Sequence, residues 1–246
     1  SDRLVRLDLE TGRVTPVGSL GRDAIATDLT YARGGLWMLD TTLGASSSLH
    51  EVSTGGSVVR SSELRRNGSP VILAEGLAAD ASGQLIVSLT TPGAYFAQSD
   101  GIATVSDLGV VGSVQDFGQF YNGADFDALD IDAIGRILSA DTRPDRSDLL
   151  MIRLDGRPLT PAIFSSLRLD ARIGQVNDVV LRDGVLYGID GVLHRLHRFD
   201  PASGAWLGSV AYDAGYDLSG LAIPGPGAGA VLLGAGGHAA RRRRRA

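Results

Sequence analysis

Five acidic residues occupy matching places in a pattern that repeats along the chain, and they are the first candidates for chemistry. They are Asp28, Glu75, Asp127, Asp178 and Asp217. Carboxylates within a few ångströms of one another raise each other's pKa unless a cation lies between them, and Ca²⁺ and Mg²⁺ prefer oxygen ligands. The set therefore predicts a metal site or an acid–base pair, unless each acid only caps a turn by accepting backbone N–H groups.

A denser acidic segment overlaps this set and adds Asp125, Asp130 and Asp132 around Asp127. Alternation along a strand places Asp125 with Asp127, and Asp130 with Asp132, on common faces. The segment lacks the glycine and the final glutamate of an EF-hand loop. We expect a solvated acidic strand here, with a surface cation site as the alternative.

Aromatic residues make up only 6% of the chain, yet five of them fall on two neighbouring predicted connections. They are Tyr95, Phe96, Phe117, Phe120 and Tyr121. Exposed aromatic groups on loops can bind a partner or stack on sugar rings. The two connections therefore form a candidate ligand or partner surface, unless the rings pack the loops onto the body of the protein.

Several chemistries are excluded by residue types that the chain does not contain. There is no cysteine, which removes disulfides, Cys-ligated zinc and thiol nucleophiles. The basic residues are all arginine, so Schiff-base chemistry and a P-loop lysine are also excluded. The sequence has no His-Glu-x-x-His or Gly-x-Ser-x-Gly motif, and His194 and His197 are three apart on a predicted strand, facing opposite ways.

The elements that must position the acids are hairpins of two alternating types. The first type joins two apolar strands through a turn containing glycine, and it covers residues 28–40, 75–87, 127–138 and 178–190, with a partial copy at 217–223. The second type has an Asp-x-x-Thr/Ser-Gly turn, most clearly in residues 4–14 and 196–206. Four strands in each unit of about 45 residues is the signature of a β-propeller.

The order of the hairpins predicts how the ring would close. The chain opens with a hairpin of the second type and closes with a lone first strand, so we expect residues 3–18 to pair with residues 217–223. The prediction is an all-β, five-bladed β-propeller in residues 1–223, closed by its N- and C-terminal strands. No second strand for that composite blade is found in the sequence, and we expect it to have preceded Ser1.

The repeat resembles the bacterial propellers of the NHL, YVTN and lactonase-like kind. Residues 224–246 resemble a PEP-CTERM sorting tail, with Pro224-Gly225-Pro226, a short apolar stretch around Leu232 and the run Arg241–Arg245. This likeness implies an exported protein of the cell envelope, cell surface or medium, with transient membrane contact through the tail. A disordered basic tail is the alternative.

The function that we expect is a monomeric binding module whose partner is a protein, a glycan or a small molecule. Outside the terminal arginine run, 18 arginines stand against 28 acidic residues, which argues against nucleic acid as the partner. The alternative is a lactone or glycoside hydrolase that uses acidic residues at the mouth of the central channel, with Ca²⁺ as a possible cofactor. In it Asp28, Glu75 and Asp127 would match the central acids of five-bladed glycosidases, which the resemblance implies and no local motif fixes.

Overall fold

The computed structural model describes residues 3–20, 26–41, 46–91, 99–116, 126–132, 135–143, 146–153, 163–168, 173–223 and 232–236. These residues form strands and turns and no helix. Within these ranges there is thus no helix long and apolar enough to cross a membrane.

The strands are numbered in chain order: β1 Arg3–Leu7, β2 Val14–Ser19, β3 Ala26–Ala32, β4 Gly35–Asp40, β5 Ser48–Val52, β6 Val58–Glu63, β7 Arg65–Arg66, β8 Ser69–Pro70, β9 Ala74–Ala79, β10 Leu85–Thr91, β11 Ser99–Val105, β12 Gln115–Asp116, β13 Phe126–Ile131, β14 Arg136–Arg143, β15 Arg146–Arg153, β16 Ile163–Arg168, β17 Val176–Arg182, β18 Val185–Asp190, β19 Arg195–Phe199, β20 Trp206–Ala211, β21 Leu218–Ala222 and β22 Leu232–Gly236.

Turn chemistry explains why these strands form hairpins where the sequence predicts them. The turn between β17 and β18 holds Asp183 and Gly184 at φ 48° and 76°, the left-handed region that suits a tight hairpin and favours glycine. In the second hairpin type, Asp8 Oδ1 accepts the N–H groups of Glu10 and Thr11 at 3.0 and 2.8 Å. Both predicted turn mechanisms are confirmed at these positions.

The strands assemble into antiparallel sheets of four, ordered β3-β4-β5-β6, β9-β10-β11-β12, β13-β14-β15-β16 and β17-β18-β19-β20, with a further sheet ordered β21-β22-β1-β2. The first strand of each sheet (β3, β9, β13, β17 or β21) is called its innermost strand. β3 packs against β9, β9 against β13, β13 against β17, β17 against β21, and β21 against β3. None of the described sheets closes on itself. The architecture is all-β and consistent with a propeller.

The sheet that contains both ends of the described chain differs from the sequence-based expectation in one strand. β1 does not pair with β21 directly, because β22 lies between them: Leu4 lies opposite Ala235, and Leu221 lies opposite Gly234. The strand that sequence reasoning did not find is therefore Leu232–Gly236, in the range predicted as tail. The sequence analysis missed this strand because it is rich in glycine and alanine, which have low strand propensity.

The apolar core lies between neighbouring sheets rather than inside any one of them. Leu39, Leu77 and Val87 belong to one buried cluster that joins the first two sheets of the chain. Leu4 and Met38 belong to another, which joins the first of these sheets to the composite one. Burying such side chains stabilises the fold by about 1.5–3 kcal/mol for each large residue, so the sheets hold one another in fixed positions.

Candidate functional site

The innermost strands share a β-bulge near their start, and the bulge decides which side chains meet at the centre. The strand register shifts between Ala26 and Asp28, between Phe126 and Ala128, between Val176 and Asp178, and between Leu218 and Gly220, with a matching shift in β9. A bulge inserts one unpaired residue and re-aims the residues around it. The residues that follow the bulge are Asp28, Gly76, Ala128, Asp178 and Gly220.

Asp28 and Asp178, which we call the central pair, meet where these strands converge. Both are fully buried, and their carboxyl groups are hydrogen-bonded to each other. One of the two must carry a proton, because two carboxylates in contact cannot both ionise at low cost in a buried site.

Backbone N–H groups from all the innermost strands converge on the central pair. Asp28 accepts the N–H of Leu29 at 2.6 Å, of Leu77 at 2.6 Å and of Leu129 at 3.2 Å. Asp178 accepts the N–H of Val179 at 2.6 Å and that of Leu221. Each donor is the second residue after its bulge, so two side chains satisfy one buried donor from every innermost strand.

Small residues at the other positions that directly follow a bulge leave room for the two carboxyl groups. A Cβ on Gly76 would lie 2.6 Å from Leu129 Cγ and 2.9 Å from Ser88 Oγ. A Cβ on Gly220 would lie 3.0 Å from Leu29 Cγ. Ser88 Oγ, in turn, accepts the N–H of Gly76 at 2.7 Å and donates to the carbonyl of Phe126 at 2.8 Å. The centre is close-packed, and its polar groups are satisfied.

Burial sets the protonation state of the central pair. It raises the pKa of Asp28 well above the ordinary value, while the hydrogen bonds from Asp178 and the backbone act in the opposite direction. Burial also raises the pKa of Asp178, and the charge of Asp28 adds to that effect. The pair therefore retains a proton at neutral pH, which suits a structural carboxyl pair more than a cation site.

The other predicted acids are not brought to this centre. Glu75 and Asp127 occupy the bulge itself, one residue before the central position, and a one-residue shift along a strand turns a side chain to the other side. Asp217 precedes β21 and lies beside Tyr212, whose pKa is raised by burial first and by the Asp217 charge second. No three His, Asp or Glu side chains of the described ranges are grouped so that they could hold a metal ion.

The five aromatic residues of the predicted binding surface lie outside the described residues. The strand ends on either side of Tyr95 and Phe96 are described: Thr91 pairs with Ser99 beyond the start of β9. The connection that carries these rings therefore joins strands at the end of the sheet where the innermost strand begins.

A cavity of about 290 Å³ lies at the opposite end of the innermost strands. We call it the mouth cavity. Each innermost strand contributes to its wall, and its floor includes Leu29, Leu129, Val179 and Leu221, whose N–H groups bind the central pair. The floor is thus held by the same hydrogen bonds that hold the centre.

Asp130 lines the mouth cavity, whereas the sequence predicted a solvated acidic strand, with a surface cation site as the alternative. Its Oδ2 accepts the N–H of Leu181 at 2.5 Å. Burial raises the pKa of Asp130 to about 7, and the charge of Asp132 adds to this, while hydrogen bonds from Leu181 and Ile131 oppose it. Asp132 itself is paired with Arg136, Oδ2 to Nε, at 2.6 Å. A carboxyl group that titrates near neutral pH can give or take a proton there.

Two buried histidines pair with carboxylates inside sheets, where sequence reasoning expected no role. His197 Nε2 lies 3.3 Å from Asp190 Oδ2, and its Nδ1 accepts the indole N–H of Trp206 at 3.3 Å. His50 Nδ1 lies 2.8 Å from Ser61 Oγ and its Nε2 lies 3.5 Å from Asp40. These networks link strands of one sheet, and His194, expected on the same strand as His197, lies in the turn before it at φ 50°.

Comparisons with known proteins show the fold. The chain is similar to the crystal structure of Myxococcus xanthus glutaminyl cyclase, with a TM-score of 0.62 and 18% identity over 87% of this chain and 90% of that one. It is also similar to a chain of the nidogen/laminin complex (TM-score 0.55, 16% identity, 92% and 83% covered). A third similar structure is Staphylococcus aureus virginiamycin B lyase (TM-score 0.50, 10% identity, 95% and 73% covered).

These structures are β-propeller-like, and they support the propeller fold for this chain. They include two enzymes and a component of a binding complex, and identities this low carry the fold without the function. No protein-family model and no curated protein matches the chain.

Proposed function

We propose that the protein is an exported or cell-surface β-propeller that binds a protein, a glycan or a small molecule, and that its central acids are structural. The observation that carries this is the bonding of the central pair. Asp28 and Asp178 accept five backbone N–H groups and are fully buried, so neither can contact a substrate. A hydrolase that uses these acids is therefore the less favoured of the two functions.

The proposed binding surface consists of Tyr95, Phe96, Phe117, Phe120 and Tyr121, which lie in the sequence between β10 and β11 and between β12 and β13. Its test is a glycan array probed with the full chain and with a Phe96→Ala, Phe120→Ala double variant. We expect the double variant to lose glycan binding, because each ring supplies stacking area. Leu207→Ala is the control, since Leu207 is an exposed residue on the outer strand β20. Equal binding by all three proteins would contradict the proposed surface.

The five-bladed, closed arrangement is also a proposal, and it rests on β22. The support is the order β21-β22-β1-β2, in which β22 bonds to strands from both ends of the described chain. A chain that ends at Gly236 should unfold at the same temperature as the full chain. A chain that ends at Ile223 should be much less stable, and a synthetic peptide containing residues 232–236 should restore part of the loss. Equal stability of the two truncated chains would contradict closure through β22.

Export and sorting are proposed from the tail and are tested separately from closure. Behind a secretion leader in a bacterium that has an exosortase, the full chain should reach the cell envelope or the medium. A variant with alanine in place of Arg241–Arg245 keeps β22 and should reach the medium without a membrane-held fraction, because no positive charge then holds the tail on the inner side. The same distribution for both proteins would leave a basic tail without a sorting role.

A hydrolase is the second candidate function, and Asp130 is the observation that favours it. Its pKa of about 7 and its position on the mouth cavity suit a general acid or base. A panel of lactones and aryl glycosides tests this, with and without added Ca²⁺. The control is Glu10→Gln, because Glu10 is an exposed acid in the turn between β1 and β2. Turnover that Asp130→Asn loses and Glu10→Gln keeps would favour the enzyme. A blank panel favours the binding module.

A further inference from the structure

The mouth cavity combines an apolar floor with two charged or ionisable side chains, Asp130 and Arg182, on its wall. The floor residues Leu129, Val179 and Leu221 are held through their own N–H groups by the central pair. A cavity of about 290 Å³ is just below the range for small-molecule sites, which starts near 300 Å³. It fits a ligand of about the size of a monosaccharide.

Arg182 supplies a positive charge on the wall of this cavity, where its side chain is 24% exposed. Its Nε is paired with Asp183 Oδ2 at 3.2 Å. Its Nη1 is buried and has no hydrogen-bond partner among the described residues. The partly exposed guanidinium can bind a carboxylate from the cavity side through its N–H groups.

Asp130 supplies the second polar group, from the neighbouring innermost strand. Its carboxyl group accepts the N–H groups of Leu181 and Ile131, which leaves further acceptor capacity on its two oxygens, and burial raises its pKa to about 7. It can therefore accept a hydrogen bond from a ligand hydroxyl or donate one to it. Arg182 and Asp130 both line the cavity, so a ligand with a carboxylate and a hydroxyl group can reach both.

We propose that the mouth cavity binds a small hydroxy carboxylate, such as a sugar acid, with Arg182 holding the carboxylate and Asp130 holding a hydroxyl group. The apolar floor packs against the carbon skeleton. This site does not depend on the aromatic surface proposed above, because the two have no residue in common. Failure of either one therefore leaves the other in place.

The test is calorimetric titration of the full chain with D-glucuronate, with D-glucose as the neutral probe and cyclohexanecarboxylate as the carboxylate without hydroxyl groups. Glucuronate should bind at least tenfold more tightly than either. Arg182→Gln should weaken glucuronate binding at least tenfold, and Arg182→Lys should weaken it less, since it keeps the charge. Arg195→Gln, an exposed arginine on β19 that bonds to Ser209, should leave it unchanged.

Asp130→Leu should abolish the preference for glucuronate over cyclohexanecarboxylate, whereas Asp130→Asn should keep most of it. A second measurement uses the wild-type protein. Glucuronate should change the amide NMR chemical shifts of the residues of β13 and β17 that line the cavity. The proposal is overturned if glucuronate does not bind at 20 millimolar, a concentration on the order of weak metabolite affinities. It is also overturned if folded Arg182→Gln binds equally well, or if the shifts fall elsewhere.

Discussion

The central pair and Asp130 are carboxyl groups on innermost strands, and burial raises the pKa of each. They differ in what surrounds them. The central pair accepts five backbone N–H groups and is closed in by Gly76, Ala128 and Gly220. Asp130 accepts two backbone N–H groups, those of Leu181 and Ile131, and faces a cavity. The same side-chain chemistry thus supports the fold at one place and is left available for a ligand at the other.

The largest expected effect comes from removing a carboxyl group at the centre. Asp28→Ala leaves the N–H groups of Leu29, Leu77 and Leu129 buried without an acceptor, at about 1–3 kcal/mol each. We expect the free energy of unfolding in urea to fall by about 4 kcal/mol or more, a large part of the 5–15 kcal/mol typical of a domain. Asp130→Ala should lose about 1–2 kcal/mol, because fewer donors are affected.

Glu10→Ala is the control for this pair, since Glu10 is exposed and surface changes cost within about 0.5 kcal/mol. Formate should restore part of the stability of Asp28→Ala, because its carboxylate can accept the same N–H groups. Equal losses for Asp28→Ala and Asp130→Ala would remove the distinction between the two sites.

A smaller loss is expected when a methyl group is added at the centre. Gly76→Ala would place a Cβ 2.6 Å from Leu129 Cγ, whereas Gly220→Ala would place one 3.0 Å from Leu29 Cγ. Overpacking of a filled core typically costs about 1–3 kcal/mol. We expect Gly76→Ala near the upper end of that range and Gly220→Ala near the lower end, measured by urea unfolding. The reverse order would mean that the close contacts at Gly76 relax more easily than those at Gly220.

The glycines at the centre also show how far sequence reasoning reached. The repeated hairpins indicated the propeller-like sheets, because turn residues and strand alternation are local. At the centre, the sequence analysis chose Glu75 and Asp127, whereas the next residues, Gly76 and Ala128, occupy the central positions. A bulge changes which side chain faces inward, and the pattern of apolar residues did not reveal it. One signal was present: an Asp, Gly or Ala directly before Leu or Val recurs at 28–29, 76–77, 128–129, 178–179 and 220–221.

The mouth cavity could not be predicted in the same way. Its wall takes residues from every innermost strand, among them Ala79, Asp130 and Arg182, and their approach depends on how the sheets pack. Nor could sequence reasoning separate Asp130 from Asp132, which lie two residues apart. The structure separates them by partner: Asp132 binds Arg136, whereas Asp130 binds a backbone N–H on the next sheet.

The contribution of Asp130 to the free energy of unfolding can be measured by comparing the wild type with Asp130→Asn over a series of pH values. An unfolded aspartate has a pKa of about 3.9, and that of Asp130 in the folded chain is about 7. Between these values the folded state binds more protons, so this residue makes the chain less stable as the pH rises from about 4 to about 7. Asp130→Asn should therefore gain stability relative to the wild type across that window and show a constant difference above it.

Asp28→Asn should behave differently in the same series. The pKa of the central pair is raised well above the ordinary value. The difference in stability between the wild type and Asp28→Asn should therefore keep changing with pH above about 7, where the difference for Asp130→Asn becomes constant. Thermal unfolding at half-unit pH intervals measures both curves. A flat difference between wild type and Asp130→Asn from pH 4 to 8 would show that Asp130 is solvated rather than buried.

The smallest expected effect is at the wall of the mouth cavity, where Ala79 offers a matched contrast to Gly76 on the same strand, β9. Ala79→Val adds two methyl groups at a partly buried position that lines the cavity and packs against the cluster of Leu77 and Val87. It also places a β-branched residue in a strand, which favours strand structure. We expect the free energy of unfolding to change by less than about 0.5 kcal/mol, while glucuronate binding weakens because the cavity is smaller. Since Gly76→Ala adds a single methyl group three residues away at a much larger cost, the two variants together separate a filled centre from an unfilled mouth. A loss of 2 kcal/mol or more in Ala79→Val, about the cost of overpacking, would show that the wall is as tightly packed as the centre and that the cavity has no room for a ligand.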